Sequence, residues 1–269
     1  MLTSLKSFQS SSSYINIKNK KFPKNFLGIN LSILENIAYL LVYLHSIKIM
    51  NRLLVLFTLL AIIGCKNQKH YEQTYLALGD SYTIGESVNP SLRWPVQLAE
   101  KFNNEGFDIA PPQIIAKTGW TTDELMAAMD TAGLDPPYDI VSVLIGVNNQ
   151  YRGRDTANYR IELQEILDRA IKLTGDKPGM VFVVSIPDWG VMPFADEHNR
   201  DLEKIAAEID IFNNIKKELS ESKGLTYINI TDISREASSN RSFIAEDGLH
   251  PSGEMYRAWV ERIAPRIMQ

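Results

Sequence analysis

From residue 74 onward, short apolar runs alternate with longer stretches in which apolar residues return every three or four positions. The short runs predict buried strands at 74–78, Gln113–Ala116, 140–145, 180–185 and 226–230. The longer stretches predict amphipathic helices. Trp94, Leu98 and Phe102 recur every four residues and place one over 92–104. Thr121, with Glu124 three residues on, reads as a capping box that opens a helix to about residue 132. Leu163, Ile166, Leu167, Ala170 and Leu173 mark a long helix stopped by Gly175. Leu202, Ile205, Ile209, Phe212 and Leu219 mark another, stopped near Gly224, and Met255, Tyr256, Trp259, Val260 and Ile263 mark the last. Five strands separated by helices imply an α/β domain with a parallel sheet covered on both faces.

The first 73 residues follow a different pattern. Residues 1–49 hold a serine run and a Lys/Asn/Ile-rich stretch, then an apolar segment at 37–44 interrupted by His45 and Lys48. Met50-Asn51-Arg52 is a short basic start, Leu53 to Ile63 is apolar except for Thr58, and Gly64-Cys65 closes it. A short apolar core between a basic start and a small residue is a secretory signal pattern. Ile62-Ile63-Gly64-Cys65 resembles the lipobox of bacterial lipoproteins, in which the Cys is lipidated. This reading divides the chain into an over-long gene prediction (1–49), a signal peptide (50–64), a tether (65–73) and one domain (74–269). It places the protein in the bacterial cell envelope, anchored to a membrane through Cys65 and facing the periplasm. The competing reading is one membrane anchor over 37–64, broken in its middle. Cys65 is the sole cysteine, so neither an intrachain disulfide nor a multi-cysteine metal site can form.

Charge sharpens the division. Residues 1–64 sum to +6 and the remainder to −10. An acidic body is repelled by phosphate, which argues against nucleic acid as a partner.

A parallel sheet of this kind binds ligands beyond the carboxyl ends of its strands. The polar residues there form a set: Gly79-Asp80-Ser81 after the first strand, Gly119 after the second, Gly146 and Asn148 after the third, and Asp247 with His250 on a longer loop after the fifth. Each motif alone is an ordinary turn; together they describe acyl transfer. Ser81 needs a base. Of the three body histidines, His70 is in the tether, His198 lies in the charged run 196–200, and His250 is on a strand-end loop. Asp247, three residues before His250, is placed to hold Nδ1 and leave Nε2 for Ser81. The N–H groups of Ser81 and Gly119 and the Asn148 amide are three candidate oxyanion donors. Tyr82, Trp120, Asn149, Tyr151 and Trp189, with the rest of the 186–194 loop, are placed to shape the pocket.

These residues resemble the four blocks of the SGNH, or GDSL, hydrolases. The resemblance covers roughly residue 74 to the C-terminus. It implies a flavodoxin-like three-layer α/β/α sandwich with Ser81 as nucleophile, Asp247 and His250 completing a triad, Ser81, Gly119 and Asn148 forming the oxyanion hole, and no metal or cofactor. Tyr82 replaces the Leu of the motif, and Asn149 stands where many members have Asp. The expected activity is that of a broad esterase or lysophospholipase on small-molecule or lipid esters. The alternatives are a carbohydrate O-acetylesterase of the envelope, acting on glycan esters, and, from another class, a non-catalytic binding lipoprotein.

Overall fold

The structure, a computed structural model, describes residues 31–63 and 71–267. The chain divides into two compact units, 1–69 and 70–269. Cys65 and the tether to residue 70 lie outside the described residues.

The first unit contains one helix, α1 (Leu31–Ile63). It runs without a break through His45, Lys48 and Arg52, where the sequence reading separates two apolar segments. The reason is local: the helix contains neither Pro nor Gly, so single polar residues interrupt its hydropathy but not its backbone. Its 33 residues make it roughly 50 Å long. The window Ser32–Leu54 is apolar and long enough to cross a membrane or to serve as a signal segment.

The second unit is the α/β domain. In chain order it comprises β1 (Tyr75–Gly79), α2 (Ser81–Ile84), α3 (Trp94–Asn104), β2 (Gln113–Ala116), α4 (Thr122–Thr131), β3 (Ile140–Leu144), α5 (Val147–Tyr151), α6 (Thr156–Leu173), β4 (Val181–Val184), α7 (Pro193–Glu197), α8 (Leu202–Ser222), β5 (Thr226–Ile228), α9 (Thr231–Arg235) and α10 (Gly253–Ile267). All strand pairs are parallel, in the order β2-β1-β3-β4-β5. This is the flavodoxin-like order, whose switch point lies between β1 and β3.

Right-handed crossovers explain the layers. The step from β1 to β2 runs one way along the sheet and carries α3; the steps onward to β3, β4 and β5 run the other way and carry α4, α6 and α8. Accordingly α3 packs with α10, while α6 packs with α4 and α8. Trp94, Trp259, Phe182 and Tyr75 are fully buried in the core, as are β1 and β4 along their whole length.

Most strand boundaries shift by a residue or two, and two shifts have a clear local cause. The helix expected at 92–104 starts at Trp94, after a separate 3-10 turn at Pro90–Leu92. Pro95 lacks an N–H and fits only the first helical turn. The last strand stops at Ile228, because Asn229 Oδ1 accepts the Thr231 N–H at 3.0 Å and turns the chain into α9.

Candidate active site

β1 ends in a turn that leaves no choice of side chain. A Cβ at Gly79 would collide with Thr83 Oγ1 and the Leu144 carbonyl, so the strand runs tightly between α2 and β3. Asp80 then caps α2, its Oδ1 accepting the Tyr82 N–H at 3.1 Å. Ser81 is thereby fixed as the first residue of a one-turn helix, and only 5% of its surface is exposed.

The other strand ends converge on it. Gly119 adopts φ +87°, which favours glycine, and its carbonyl accepts from Arg152 Nη2 at 2.5 Å. Asn148 sits on α5, just beyond β3, and donates one amide hydrogen to the Trp120 carbonyl at 2.9 Å. The amide has a second N–H left to give. His250 is buried, with Nδ1 2.6 Å from Asp247 Oδ2.

Asp247 is the hub of its loop. Its Oδ1 accepts the N–H groups of Leu249 (3.0 Å) and His250 (2.9 Å), and its Oδ2 accepts the Ser87 hydroxyl at 2.7 Å. Burial works against its charge, but the His250 and Leu249 N–H groups, then the Ser87 hydroxyl and the His250 ring, outweigh it and hold the carboxyl down at about 2.

Ser81, Gly119, Asn148 and His250 line one cavity of about 220 Å³, together with Tyr82, Thr118, Val147, Tyr151, Trp189, Phe194 and Leu249. Its apolar wall is rigid: Trp189 donates through Nε1 to Gln150 at 2.8 Å and packs edge-on against Tyr151, with ring centroids 5.3 Å apart. Tyr82 packs edge-on against the His250 ring at 5.7 Å.

Two of the five residues expected to shape the pocket lie outside its lining. Asn149 is fully buried, accepts the Thr122 N–H (3.1 Å) and donates to Thr122 Oγ1 (2.6 Å), so it ties α5 to α4. Trp120 packs on the core and meets the site only through its carbonyl. Leu249, Val147 and Thr118 line the cavity without being foreseen, although each lies next to a motif residue.

Two buried titratable groups, one of them next to the nucleophile, were also missed. Asp80 and Lys216 are both fully buried. Lys216 Nζ donates to the Val184 carbonyl at 3.0 Å, whereas among the described residues Asp80 Oδ2 finds no hydrogen-bond donor of good geometry. Burial pushes the Asp80 carboxyl up to about 7 despite the Tyr82 N–H and the Lys216 charge, and burial pushes the Lys216 ammonium down to about 7 against the pull of Asp80. The signal for Lys216 was present in sequence: it falls four residues after Phe212 and three before Leu219, on the apolar stripe of α8.

Residues 77–258 match the sequence model of the GDSL-like lipase/acylhydrolase family. Among solved structures, the chain is similar to a lipase/acylhydrolase from Enterococcus faecalis (20% identity, TM-score 0.57, covering 72% of this chain and 95% of that one). It is also similar to a psychrotrophic esterase from Pseudoalteromonas sp., solved inhibited by monoethylphosphonate (17% identity, TM-score 0.56, 73% and 97%). A third similar structure is an acetylxylan esterase from Geobacillus stearothermophilus (16% identity, TM-score 0.54, 73% and 94%). At these identities the three support the fold. No curated protein matches the chain.

Proposed function

The chain belongs to the GDSL-like lipase/acylhydrolase family and is a carboxylic ester hydrolase; from that premise we propose a two-step hydrolysis in which Ser81 is acylated and then released by water. His250 takes the Ser81 proton as the hydroxyl attacks the ester carbonyl, then gives it to the departing alcohol. In the second step His250 activates water, which attacks the acyl-enzyme and restores Ser81. Asp247 holds Nδ1, so that Nε2 is the nitrogen that handles the proton, and it stabilises the imidazolium while it lasts. The backbone N–H groups of Ser81 and Gly119 and the free N–H of Asn148 receive the charge that forms on the carbonyl oxygen.

The observation that carries this reading is the shared lining: Ser81, His250, Gly119 and Asn148 face one cavity, and Asp247 lies 2.6 Å behind His250. The test is hydrolysis of a para-nitrophenyl ester series by the wild type and by Ser81→Ala. Activity that disappears in the variant supports the mechanism; equal rates in both reject it.

Cavity size favours short acyl groups. About 220 Å³ falls below the ~300–1,000 Å³ of sites that enclose a drug-sized ligand. This supports a carbohydrate O-acetylesterase as a second reading, in keeping with the acetylxylan esterase among the similar folds. In the same ester series, a kcat/KM that falls steadily beyond acetyl favours it, and one that rises toward octanoyl favours a lipid substrate.

Placement in the cell is part of the proposal. The apolar helix α1, which ends next to Gly64-Cys65, supports export and lipidation at Cys65. Incorporation of a radioactive fatty acid that persists in Cys65→Ser rejects lipidation at that residue.

A further inference from the structure

The charged run 196–200, which the catalytic mechanism does not use, carries a cation onto two aromatic rings that belong to the cavity wall. The Arg200 guanidinium lies over the ring of Tyr151 at 5.1 Å and over that of Trp189 at 5.5 Å. Both rings line the cavity that holds Ser81. Arg200 is exposed, and among the described residues no carboxylate lies within salt-bridge distance of it. The acids nearest in sequence are engaged or face elsewhere. Asp201 caps α8 through the Lys204 N–H at 3.0 Å, and Asp196 and Glu197 line a separate cleft with Met192 and Leu202. The other arginine at the site, Arg152, is occupied by the Gly119 carbonyl and Glu124.

A guanidinium stacked on two aromatic faces is held in place through its π-system while its N–H edge stays open. That edge suits a planar or tetrahedral oxyanion. A surface arginine with no further purpose pairs readily with a neighbouring acid in a chain this acidic; Arg235, Arg160 and Arg262 all do so. Arg200 is anchored instead to two rings that share the cavity lining with Ser81.

The geometry points to Arg200 as an anion-binding subsite, which makes esters carrying a carboxylate or phosphate a few bonds from the scissile carbonyl the preferred substrate class. The inference rests on the ester-hydrolase reading of Ser81 and deepens it. The anion belongs to the acyl part of the substrate or to the alcohol part, and matched probes separate the two. On the acyl side, para-nitrophenyl hydrogen succinate is compared with para-nitrophenyl butyrate. On the alcohol side, para-acetoxybenzoate is compared with para-acetoxybenzamide.

The experiment measures kcat/KM for both pairs on the full chain, for the wild type, Arg200→Gln and Arg200→Lys, at low and high NaCl. In the wild type, one anionic probe exceeds its neutral partner by up to roughly fivefold, the upper end of the range expected of a solvent-exposed ion pair. Salt shrinks that ratio. Arg200→Gln brings it close to one, and Arg200→Lys, which keeps the charge but loses the stacked fork, falls between. If the wild type hydrolyses the neutral probes without an anionic preference, or if the preference survives Arg200→Gln, the subsite is rejected while the hydrolase reading stands. If neither member of either pair is hydrolysed, both fall. Should Arg200→Gln fail to fold, as judged by circular dichroism, the salt dependence of the wild-type ratio and the Arg200→Lys variant decide: a ratio insensitive to both overturns the subsite.

Discussion

Nδ1 of His250 lies 2.6 Å from Oδ2 of Asp247, three residues earlier on the same loop. The same carboxylate also accepts the His250 backbone N–H, so one residue sets both the ring and the chain that carries it. Ser87, with φ +62°, reaches across from the nucleophile side and donates to Oδ2 as well. The histidine is thus tied to the segment that follows Ser81 as well as to its own loop.

Asp247→Asn keeps the volume of the side chain but loses the charge, and its amide presents the wrong donor pattern to Nδ1. The expected loss is roughly 10²–10⁴-fold in kcat, with KM changed far less. Steady-state kinetics on a short-chain ester checks it. An unchanged kcat means that the Asp247–His250 bond is structural only.

The pH behaviour of Asp247 has a definite sign. Its carboxyl is held at about 2 in the folded protein, below the ~3.9 of an unfolded aspartate. Its stabilising contribution is therefore complete above about pH 4 and is lost as pH falls toward 2. The Tm difference between wild type and Asp247→Asn narrows over that window. Asp247 stays ionised above about pH 4, so it places no limb on the pH–rate profile there.

Asn148→Ala removes the side chain proposed as one oxyanion donor, together with its bond to the Trp120 carbonyl. The expected fall in kcat is about 10²–10³-fold, with KM little affected. A rise in KM at unchanged kcat assigns Asn148 to ground-state binding instead.

Lys216→Met tests the two buried groups. The folded pKa of Lys216 is pushed down to about 7, against about 10.4 unfolded. Between these values the unfolded chain binds more protons, so the wild type gains stability from this group as pH rises from 7 to 10. Asp80, pushed up to about 7, acts oppositely and removes stability as pH rises from about 4 to 7. Lys216→Met should flatten the Tm profile above pH 7 relative to wild type. Parallel profiles mean that the lysine is not buried as a titrating group.

Gly79→Ala drives a methyl group into Thr83 and the Leu144 carbonyl. Overpacking of this kind costs roughly 1–3 kcal/mol, which lowers Tm by about 2–12 °C. Thermal unfolding measures it, and a Tm within 1 °C of wild type shows that β1 and β3 can separate there.

The parts of the fold legible in sequence are those fixed by local chemistry. The short apolar runs that became β1, β3 and β4 read as buried strands because they are too short for a helix, and Thr121 and Glu124 form the start of α4 as read, with the Thr121 N–H 2.9 Å from the Glu124 carboxylate. The convergence of Ser81, Gly119, Asn148 and His250 was legible because a parallel sheet carries all its strand ends to one edge. What sequence hid depends on neighbours distant in the chain. Asn149 reads as a pocket residue until α4 packs beside it and Thr122 takes both ends of its amide. Spacing puts Lys216 on the apolar stripe of α8, but its bond to the Val184 carbonyl exists only once that stripe is laid on β4. Continuity of α1 was missed because hydropathy marks polar residues as breaks where the backbone has none.

The central claim is that Ser81 is the nucleophile, and covalent capture tests it most directly. Purified protein is treated with a fluorophosphonate, and the modified peptide is identified by tandem mass spectrometry while ester hydrolysis is followed in parallel. A single adduct on Ser81, formed in step with the loss of activity and absent from Ser81→Ala, is the predicted result. Full loss of activity with the adduct on another residue, or retained activity in Ser81→Ala, contradicts it.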